Sequence, residues 1–137
     1  FCKEFAIAQK IAKERGLELK VINARFGPNS FRKGTIFDAG PGEFVNLIAN
    51  ASYVCTDSFH GTLFSLVFHK QFSSLDTKQN LHDTRKKGLL ESVGATAAYQ
   101  NVEDPLKICS TLDYKEIDCR MEEIRKSAAK FLEILDE

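Results

Sequence analysis

The sequence has no excess of either charge and no long hydrophobic run. Lysine and arginine together number 19, and so do aspartate and glutamate, so the formal net charge at pH 7 is zero. Proteins that bind nucleic acids or anionic membranes usually carry a basic excess, which this chain lacks. No apolar stretch approaches the ~20 residues that a membrane-spanning helix needs. We therefore expect neither a nucleic-acid partner nor an integral membrane segment.

Closely spaced cysteines are also missing. The four cysteines are far apart and form no C-x-x-C pair: Cys2, Cys55, Cys109 and Cys119. Such spacing is typical neither of a metal cluster nor of a disulfide framework, and it fits reduced thiols in the cytoplasm. Histidines and carboxylates form no cluster with them either, so we expect no metal site.

The chain has 137 residues, of which 43% are hydrophobic and 28% are charged. It is therefore long enough for one soluble domain with a real core. It begins at Phe1, without a methionine and already inside a predicted helix. We expect residues 1–137 to be a single domain from a longer protein.

Apolar periodicity predicts that helices and strands alternate along the chain. The predicted order is a helix ending at Gly16, a strand at 17–23, a long loop at 24–42, a helix at 43–50, a strand at 53–55, a helix at 59–68, a strand at 72–75, a helix at 85–92 and a long C-terminal helix. This alternation indicates an α/β fold with a Rossmann-like, open, mostly parallel sheet flanked by helices.

The C-terminal helix is amphipathic. Its apolar residues are spaced alternately four and three apart: Ile117, Met121, Ile124, Ala128, Phe131 and Leu135. This pattern favours packing against the helix's own domain. It also suits a short coiled-coil seam, so a homo-oligomer formed through this helix stays open as an alternative.

The segment NASYVCTDSFHGTLFSLVFHK (50–70) interrupts the most apolar region with a polar joint between strand and helix. In open α/β sheets, ligands bind at the carboxyl ends of the strands. Ser58 or Asp57 could cap the helix, whose free amides and dipole would attract an anion. Gly61 would let a ligand approach the backbone, and His60 could exchange a proton near neutral pH. Ordinary helix capping and a structural histidine explain the same residues, so both interpretations stay open.

A resemblance to a known family favours the functional interpretation. The stretch EFVNLIANASYVCTDSFHGTLFSLVFHKQFSSL resembles the C-terminal half of the polysaccharide pyruvyl transferase family, and HDTRKKGLLESVG continues the similarity more loosely. The resemblance implies a two-domain fold similar to GT-B glycosyltransferases, of which this chain would be the second half without its N-terminal domain. It implies transfer of the pyruvyl group of phosphoenolpyruvate to two sugar hydroxyls as a ketal, without a cofactor. It also implies a place in the cytoplasm or at the inner face of the membrane.

The resemblance also suggests roles for residues. His60-Gly61 matches the family's active-site His-Gly, so His60 is the expected catalytic residue. Many members have an arginine two positions before that histidine, where this chain has Ser58. The expected substrate-binding residues are Ser58, Phe59, Gly61, Thr62 and Arg85, with Asp57 capping the helix or orienting His60. Arg85 could instead be an ordinary surface residue. Arg32 and Lys33 could close over an anion or lie in a solvated loop.

Two alternatives to this function stay open. The same joint could bind the diphosphate of a nucleotide sugar in a related GT-B glycosyltransferase, because helix amides do not distinguish the two kinds of phosphate. Alternatively, the domain could be non-catalytic and mediate assembly through its C-terminal helix. For pyruvyl transfer, the expected acceptor is a sugar or a lipid-linked oligosaccharide.

Overall fold

The computed structural model describes residues 2–22, 34–76, 84–102 and 111–135. In chain order the elements are α1 (Cys2–Arg15), β1 (Val21–Ile22), β2 (Thr35–Ile36), α2 (Pro41–Asn50), β3 (Val54–Thr56), α3 (Phe59–Val67), β4 (Phe72–Asp76), α4 (Thr84–Ser92), a 3-10 turn (Thr96–Ala98), β5 (Tyr99–Asn101) and α5 (Tyr114–Leu135). Among the helices of these residues, none has the length and apolar character needed to cross a membrane.

Every strand pair in the described residues is parallel. The larger sheet has the order β3-β4-β5, and β1 pairs with β2 in a separate two-stranded sheet. Parallel neighbours need crossover connections, and α3 and α4 lie in the connections of the larger sheet. The carboxyl ends of β3 and β4 consequently lie side by side, with Thr56 paired to Ser74. The predicted parallel sheet flanked by helices is confirmed.

The central strand β4 is buried along most of its length, although two of its residues are serines. The hydroxyl of Ser73 lies 2.7 Å from that of Tyr53, and the hydroxyl of Ser74 lies 2.8 Å from that of Thr62. These contacts satisfy polar groups that would otherwise be costly to bury. They also connect β4 to the residue before β3 and to the first turn of α3.

The hydrophobic core joins residues of the larger sheet with residues of the helices around it. Its buried members are Ile48, Val54, Leu66, Phe72, Leu90, Val93, Ala95, Ala98, Leu112 and Ile117. Gln71 anchors the approach to α5, because its side-chain amide accepts from the Leu112 amide at 2.8 Å and donates to the Leu112 carbonyl at 3.3 Å. The Tyr114 hydroxyl donates to the carbonyls of Ser65 and Lys70.

Helix α5 packs on the domain only near its beginning. Ile117 is 1% exposed, and Met121 packs against the core, but Ile124 is 45% exposed and Phe131 is 62% exposed. The predicted packing of this helix against its own domain is therefore right for its first turns and wrong from Ile124 to Phe131. Because α5 has 22 residues, it is about 33 Å long, and its distal part extends beyond the core.

Two short strands were not predicted, and one predicted strand is shorter than expected. β2 lies within the expected loop, and β5 follows the 3-10 turn. Of the strand expected at 17–23, the described residues 17–22 form only β1. Gly34, just before β2, has a positive φ of 86°, and a Cβ there would lie 2.6 Å from the Leu19 carbonyl oxygen. Residue 23 of the expected strand and residues 24–33 of the expected loop, which include Arg32 and Lys33, lie outside the described residues. So does Cys109.

Candidate functional site

The joint between β3 and α3 is organised by Ser58. This residue has extended backbone geometry, and its hydroxyl accepts a hydrogen bond from the Gly61 amide at 3.3 Å. Its carbonyl accepts from the Thr62 amide and from the Thr62 hydroxyl, both at 3.0 Å. The helix cap is therefore Ser58. The capping expected of Asp57 is wrong, because Asp57 lies one position too early for its carboxylate to replace that hydroxyl; the orienting role expected of Asp57 stays a prediction.

Two amides of the first turn of α3 have no acceptor among the residues that the structure describes. An α-helix gives its first amides no partner of its own. Here Gly61 and Thr62 donate to Ser58, whereas the amides of Phe59 and His60 make no hydrogen bond within the described part of the chain. These two donors, with the positive end of the helix dipole, are what the joint offers to an anion.

The His60 side chain faces solvent at this joint. The residue is exposed, and its ring lies edge-to-face against the Phe59 ring, with 5.8 Å between centroids and 83° between planes. An exposed imidazole can exchange protons with a bound molecule, which a ring packed into the core could not do. The position of His60 is thus compatible with the predicted catalytic role, which stays a prediction.

Gly61 is in close contact with Thr56 of β3. A Cβ built on Gly61 would lie 2.3 Å from the Thr56 hydroxyl oxygen and 3.0 Å from the Thr56 Cβ. The close approach expected of a ligand at Gly61 is thus made by a side chain of the protein itself. The absence of a side chain at Gly61 lets α3 begin directly against β3.

Thr62 is also directed into the protein. Its side chain is completely buried, and its hydroxyl bonds to the Ser58 carbonyl and to the Ser74 hydroxyl. Together with Gly61, it fixes the orientation of the first helical turn relative to β3 and β4. Direct binding by either residue stays a prediction, and the observed contacts give both of them a structural role.

Arg85 lies on α4, yet the structure brings it to the same joint. Its guanidinium carbon is 5.3 Å from the centroid of the Phe59 ring, which itself contacts His60. This is a cation–π distance. The side chain is therefore not an isolated surface arginine, because α4 presents it beside the first turn of α3. Its role in substrate binding stays a prediction.

Sequence reasoning missed Lys86. It was not among the predicted site residues, yet it is 1% exposed. Its ammonium donates to the Leu75 carbonyl at 2.6 Å and to the Asp57 carbonyl at 2.7 Å. One signal was available in the sequence, because Lys86 is four and seven residues before Leu90 and Val93 and so belongs to the buried stripe of α4.

Two other titratable groups near these strand ends stay protonated at neutral pH. Burial raises the pKa of the Cys55 thiol to about 12, and the Asp57 carboxylate acts in the same direction. Two causes raise the pKa of Tyr99 to about 12. The larger is burial of its hydroxyl, and the second is the hydrogen bond that this hydroxyl donates to the Asp76 carboxylate at 2.6 Å. Neither is therefore suited to be a nucleophile or a general base here.

The cavities along α5 lie elsewhere. One of about 220 Å³ lies at the end of α3, between Leu66, His69, Asp118 and Met121, and one of about 440 Å³ lies between Ser92 and Cys119. Neither is lined by a residue of the β3–α3 joint. Three or more metal-ligating side chains come together nowhere in the described residues.

Comparison with known proteins matches the part of the chain that contains the joint. The family model of polysaccharide pyruvyl transferases matches residues 6–79, which is more than half of the chain. This range includes Ser58, His60 and Gly61, and it ends before Arg85 and Lys86. No curated protein and no solved structure matches the chain. Because the match covers more than half of the chain, including β3, β4 and the Ser-Phe-His-Gly start of α3 between them, the chain belongs to the polysaccharide pyruvyl transferase family.

Proposed function

We propose that the protein transfers the pyruvyl group of phosphoenolpyruvate to two hydroxyls of a sugar, in the synthesis of a cell-surface polysaccharide. Family membership supports transferase activity on polysaccharide in general. The observation that carries the specific proposal is the exposed imidazole of His60 at the carboxyl end of β3. Beside it are two helix amides that have no acceptor in the described ranges. The acceptor in this proposal is a sugar or a lipid-linked oligosaccharide, and the reaction takes place in the cytoplasm.

The proposed donor site combines two kinds of binding group, namely helix amides and a guanidinium. The amides of Phe59 and His60 would bind the phosphate, helped by the dipole of α3. The guanidinium of Arg85, held beside Phe59, would bind the donor carboxylate in a bidentate manner. Ser58 would contribute by fixing the cap, with Gly61 and Thr62 setting the angle of the first turn. Because His60 is exposed at this joint, we propose that the family's N-terminal domain forms the opposite wall.

The chemistry requires two proton movements that an imidazole can perform. Each of two sugar hydroxyls forms a C–O bond to the central carbon of phosphoenolpyruvate, and the bond from that carbon to the phosphate oxygen breaks. One hydroxyl proton ends on the methylene carbon, which becomes a methyl group, and the other leaves with the phosphate or with solvent. His60 would remove a proton from an attacking hydroxyl or deliver one to the carbon. No metal or cofactor takes part in this proposal.

Replacing His60 tests the proposal. In the full-length enzyme, His60→Ala should lower the rate of phosphate release and of ketal methyl formation by about a hundredfold or more, as the loss of general acid–base catalysis does. His69→Ala is the matched control, because His69 lies just beyond the other end of α3, and it should keep the rate. If His60→Ala transferred pyruvyl groups at the wild-type rate, the catalytic role of His60 would have to be abandoned.

Ligand titration separates this function from the alternatives. Phosphoenolpyruvate should raise the melting temperature of the full-length protein, because a ligand that binds only the folded state stabilises it. UDP- and GDP-sugars should leave it unchanged. The opposite result would favour glycosyl transfer from a nucleotide sugar, and no response to any of these ligands would favour a non-catalytic domain.

A further inference from the structure

Lys86 occupies a position that is unfavourable for a charge. Its ammonium is buried, and removing an ammonium from water is costly unless hydrogen bonds replace the lost hydration. The residue is also in the first turn of α4, where the positive end of the helix dipole disfavours a cation. The charge-assisted bonds to the carbonyls of Asp57 and Leu75 offset these costs.

The two carbonyls that Lys86 contacts belong to different strands. Leu75 is the penultimate residue of β4, and Asp57 immediately follows β3. The two strands are adjacent and parallel, so both carbonyls lie at the carboxyl edge of the sheet. A single ammonium on α4 therefore connects the ends of two strands, at the edge where open α/β sheets bind their ligands.

The bond to Asp57 fixes one particular peptide group. The Asp57 carbonyl and the Ser58 amide belong to the same planar unit. Lys86 holds its oxygen at 2.7 Å, and the Thr56 hydroxyl accepts from its nitrogen at 3.1 Å. Because both ends of this unit are held, the following residue Ser58 is placed to cap α3, and His60 follows two positions later.

The same contacts determine where α4 begins. Because Lys86 is attached to both strand ends, its neighbour Arg85 is carried to the joint, where its guanidinium lies over the Phe59 ring at 5.3 Å. Lys86 is thus connected through the backbone to both residues that the proposed function uses, namely the imidazole on α3 and the guanidinium on α4.

We propose that Lys86 is a positioning residue, which holds the 57–58 peptide group and the start of α4 and thereby orients His60 and Arg85 toward a common ligand. It touches neither substrate nor reacting atoms and acts through these two neighbours. Its importance to catalysis rests on the proposed function of the joint. Its effect on the orientation of His60 does not depend on that function. Catalysis and the orientation of His60 can therefore be measured separately.

The first measurement is kinetic and uses Lys86→Met in the full-length enzyme. Methionine keeps the length of the side chain but cannot donate to the two carbonyls. We expect kcat for pyruvyl transfer to fall about tenfold or more, as displaced catalytic groups cause, with a rise in the KM for phosphoenolpyruvate if Arg85 also moves. Lys87→Met is the matched control. Lys87 is exposed and paired only loosely, at 3.9 Å, with Glu91, so both constants should stay unchanged.

The second measurement reports on His60 without any donor. Diethyl pyrocarbonate acylates accessible imidazoles, and peptide mass spectrometry gives the labelling rate of His60 relative to His69, which serves as the internal reference. We expect this ratio to shift in Lys86→Met and to stay at the wild-type value in Lys87→Met. If the ratio shifts in a protein that does not turn over phosphoenolpyruvate, the positioning role holds and the proposed function fails.

Two results would overturn the inference. One is an enzyme that turns over phosphoenolpyruvate and keeps its kcat in Lys86→Met; the other is an unchanged labelling ratio in that variant. If Lys86→Met does not fold, substitutions of Thr56 test the inference instead, because the Thr56 hydroxyl holds the Ser58 amide at the other end of the same peptide group. Thr56→Val should shift the ratio because valine cannot accept from the Ser58 amide, and Thr56→Ser should keep it. An unchanged ratio in a folded Thr56→Val protein would count equally against the inference.

Discussion

Gly61 and Gly88 both lie inside helices, and only their surroundings differ. A Cβ at Gly61 would lie 2.3 Å from the Thr56 hydroxyl oxygen, whereas a Cβ at Gly88 would meet nothing within 4 Å. Neither glycine has a positive φ. The two positions therefore separate the packing role of a glycine from its effect on helix propensity, and they show why a glycine follows the histidine in this joint.

Alanine at these positions should change stability in opposite directions. Gly61→Ala is expected to lower the free energy of unfolding by roughly 1–3 kcal/mol, because overpacking outweighs the gain in helix propensity. Gly88→Ala is expected to raise it by about 0.5–1 kcal/mol, since alanine favours the helix and no contact opposes it. Urea denaturation of both variants measures the difference directly.

A double variant identifies the cause. Thr56→Ala removes the hydroxyl and the methyl group that a Cβ at Gly61 would meet at 2.3 and 3.2 Å. Gly61→Ala should therefore cost less in this background, with a coupling energy of about 1 kcal/mol between the two positions. If the cost were the same in both backgrounds, Thr56 would not be what requires a glycine at position 61.

At the scale of the elements, α1, α3 and α4 end in the same way. In each, a residue with positive φ follows the helix, and the next amide donates to a carbonyl five residues earlier. This is the Schellman arrangement, in which glycine is usual because it has no Cβ. α1 and α4 use Gly16 and Gly94, whereas α3 uses His69, with a φ of 53°.

His69 connects the end of α3 to the beginning of α5. Its ring centroid lies 4.8 Å from that of Tyr114, and its Nε2 is 2.9 Å from an oxygen of Asp118. The contacts with α5 explain why the chain has a larger residue than glycine at this position.

The positive φ at position 69 should therefore determine which substitutions of His69 the fold tolerates. His69→Gly is expected to change the free energy of unfolding by less than about 1 kcal/mol, because relief of the left-handed conformation offsets the loss of exposed contacts. His69→Val should destabilise by roughly 2 kcal/mol, since a β-branched residue tolerates positive φ poorly. Chemical denaturation measures both, and equal losses would show that the contacts with α5 matter more than the backbone.

At the scale of the whole molecule, most elements of the larger sheet and its helices could be predicted from the sequence. The apolar run of α3 and the periodicity of α2 and α5 extend over nine or more residues, so the pattern determines both their type and their approximate ends. β2 and β5 have only two and three residues, and Thr35, Gln100 and Asn101 interrupt the apolar pattern that revealed the equally short β3. Their pairing depends on neighbours that are distant in sequence, and this is why they were missed.

The candidate site was predictable only where its residues are close together in the sequence. Ser58, His60 and Gly61 are consecutive or nearly so, and the strand–helix joint is visible in the local sequence. The local sequence does not show tertiary contacts between elements. Two such contacts are the approach of Gly61 to Thr56 and the hydrogen bond between the hydroxyls of Thr62 and Ser74. The burial of Lys86 is also tertiary, although its place on the stripe of α4 pointed to it.

The exposure of α5 raises the question of what covers its distal apolar residues. Ile117 and Ile124 have the same side chain and lie seven residues apart on the same stripe, with exposures of 1% and 45%. In an isolated molecule, Ile117→Ala should destabilise by about 2–5 kcal/mol, because it leaves a cavity in the core. Ile124→Ala should change stability by less than about 0.5 kcal/mol, since it removes little buried surface. Thermal denaturation of the two variants at low protein concentration tests this difference.

Raising the protein concentration then tests whether α5 forms a homo-oligomer. If a second copy covered Ile124, the melting temperature of the wild type would rise with concentration, because association stabilises the folded state by mass action. In that case Ile124→Ala would reduce the rise, whereas a melting temperature independent of concentration would mean that Ile124 is exposed in solution. Phe131→Ala provides the second position, because Phe131 is 62% exposed on the same stripe and a shared seam would include it. A concentration dependence that neither substitution changes would place the contact between copies elsewhere on the molecule and leave α5 a helix of the single domain.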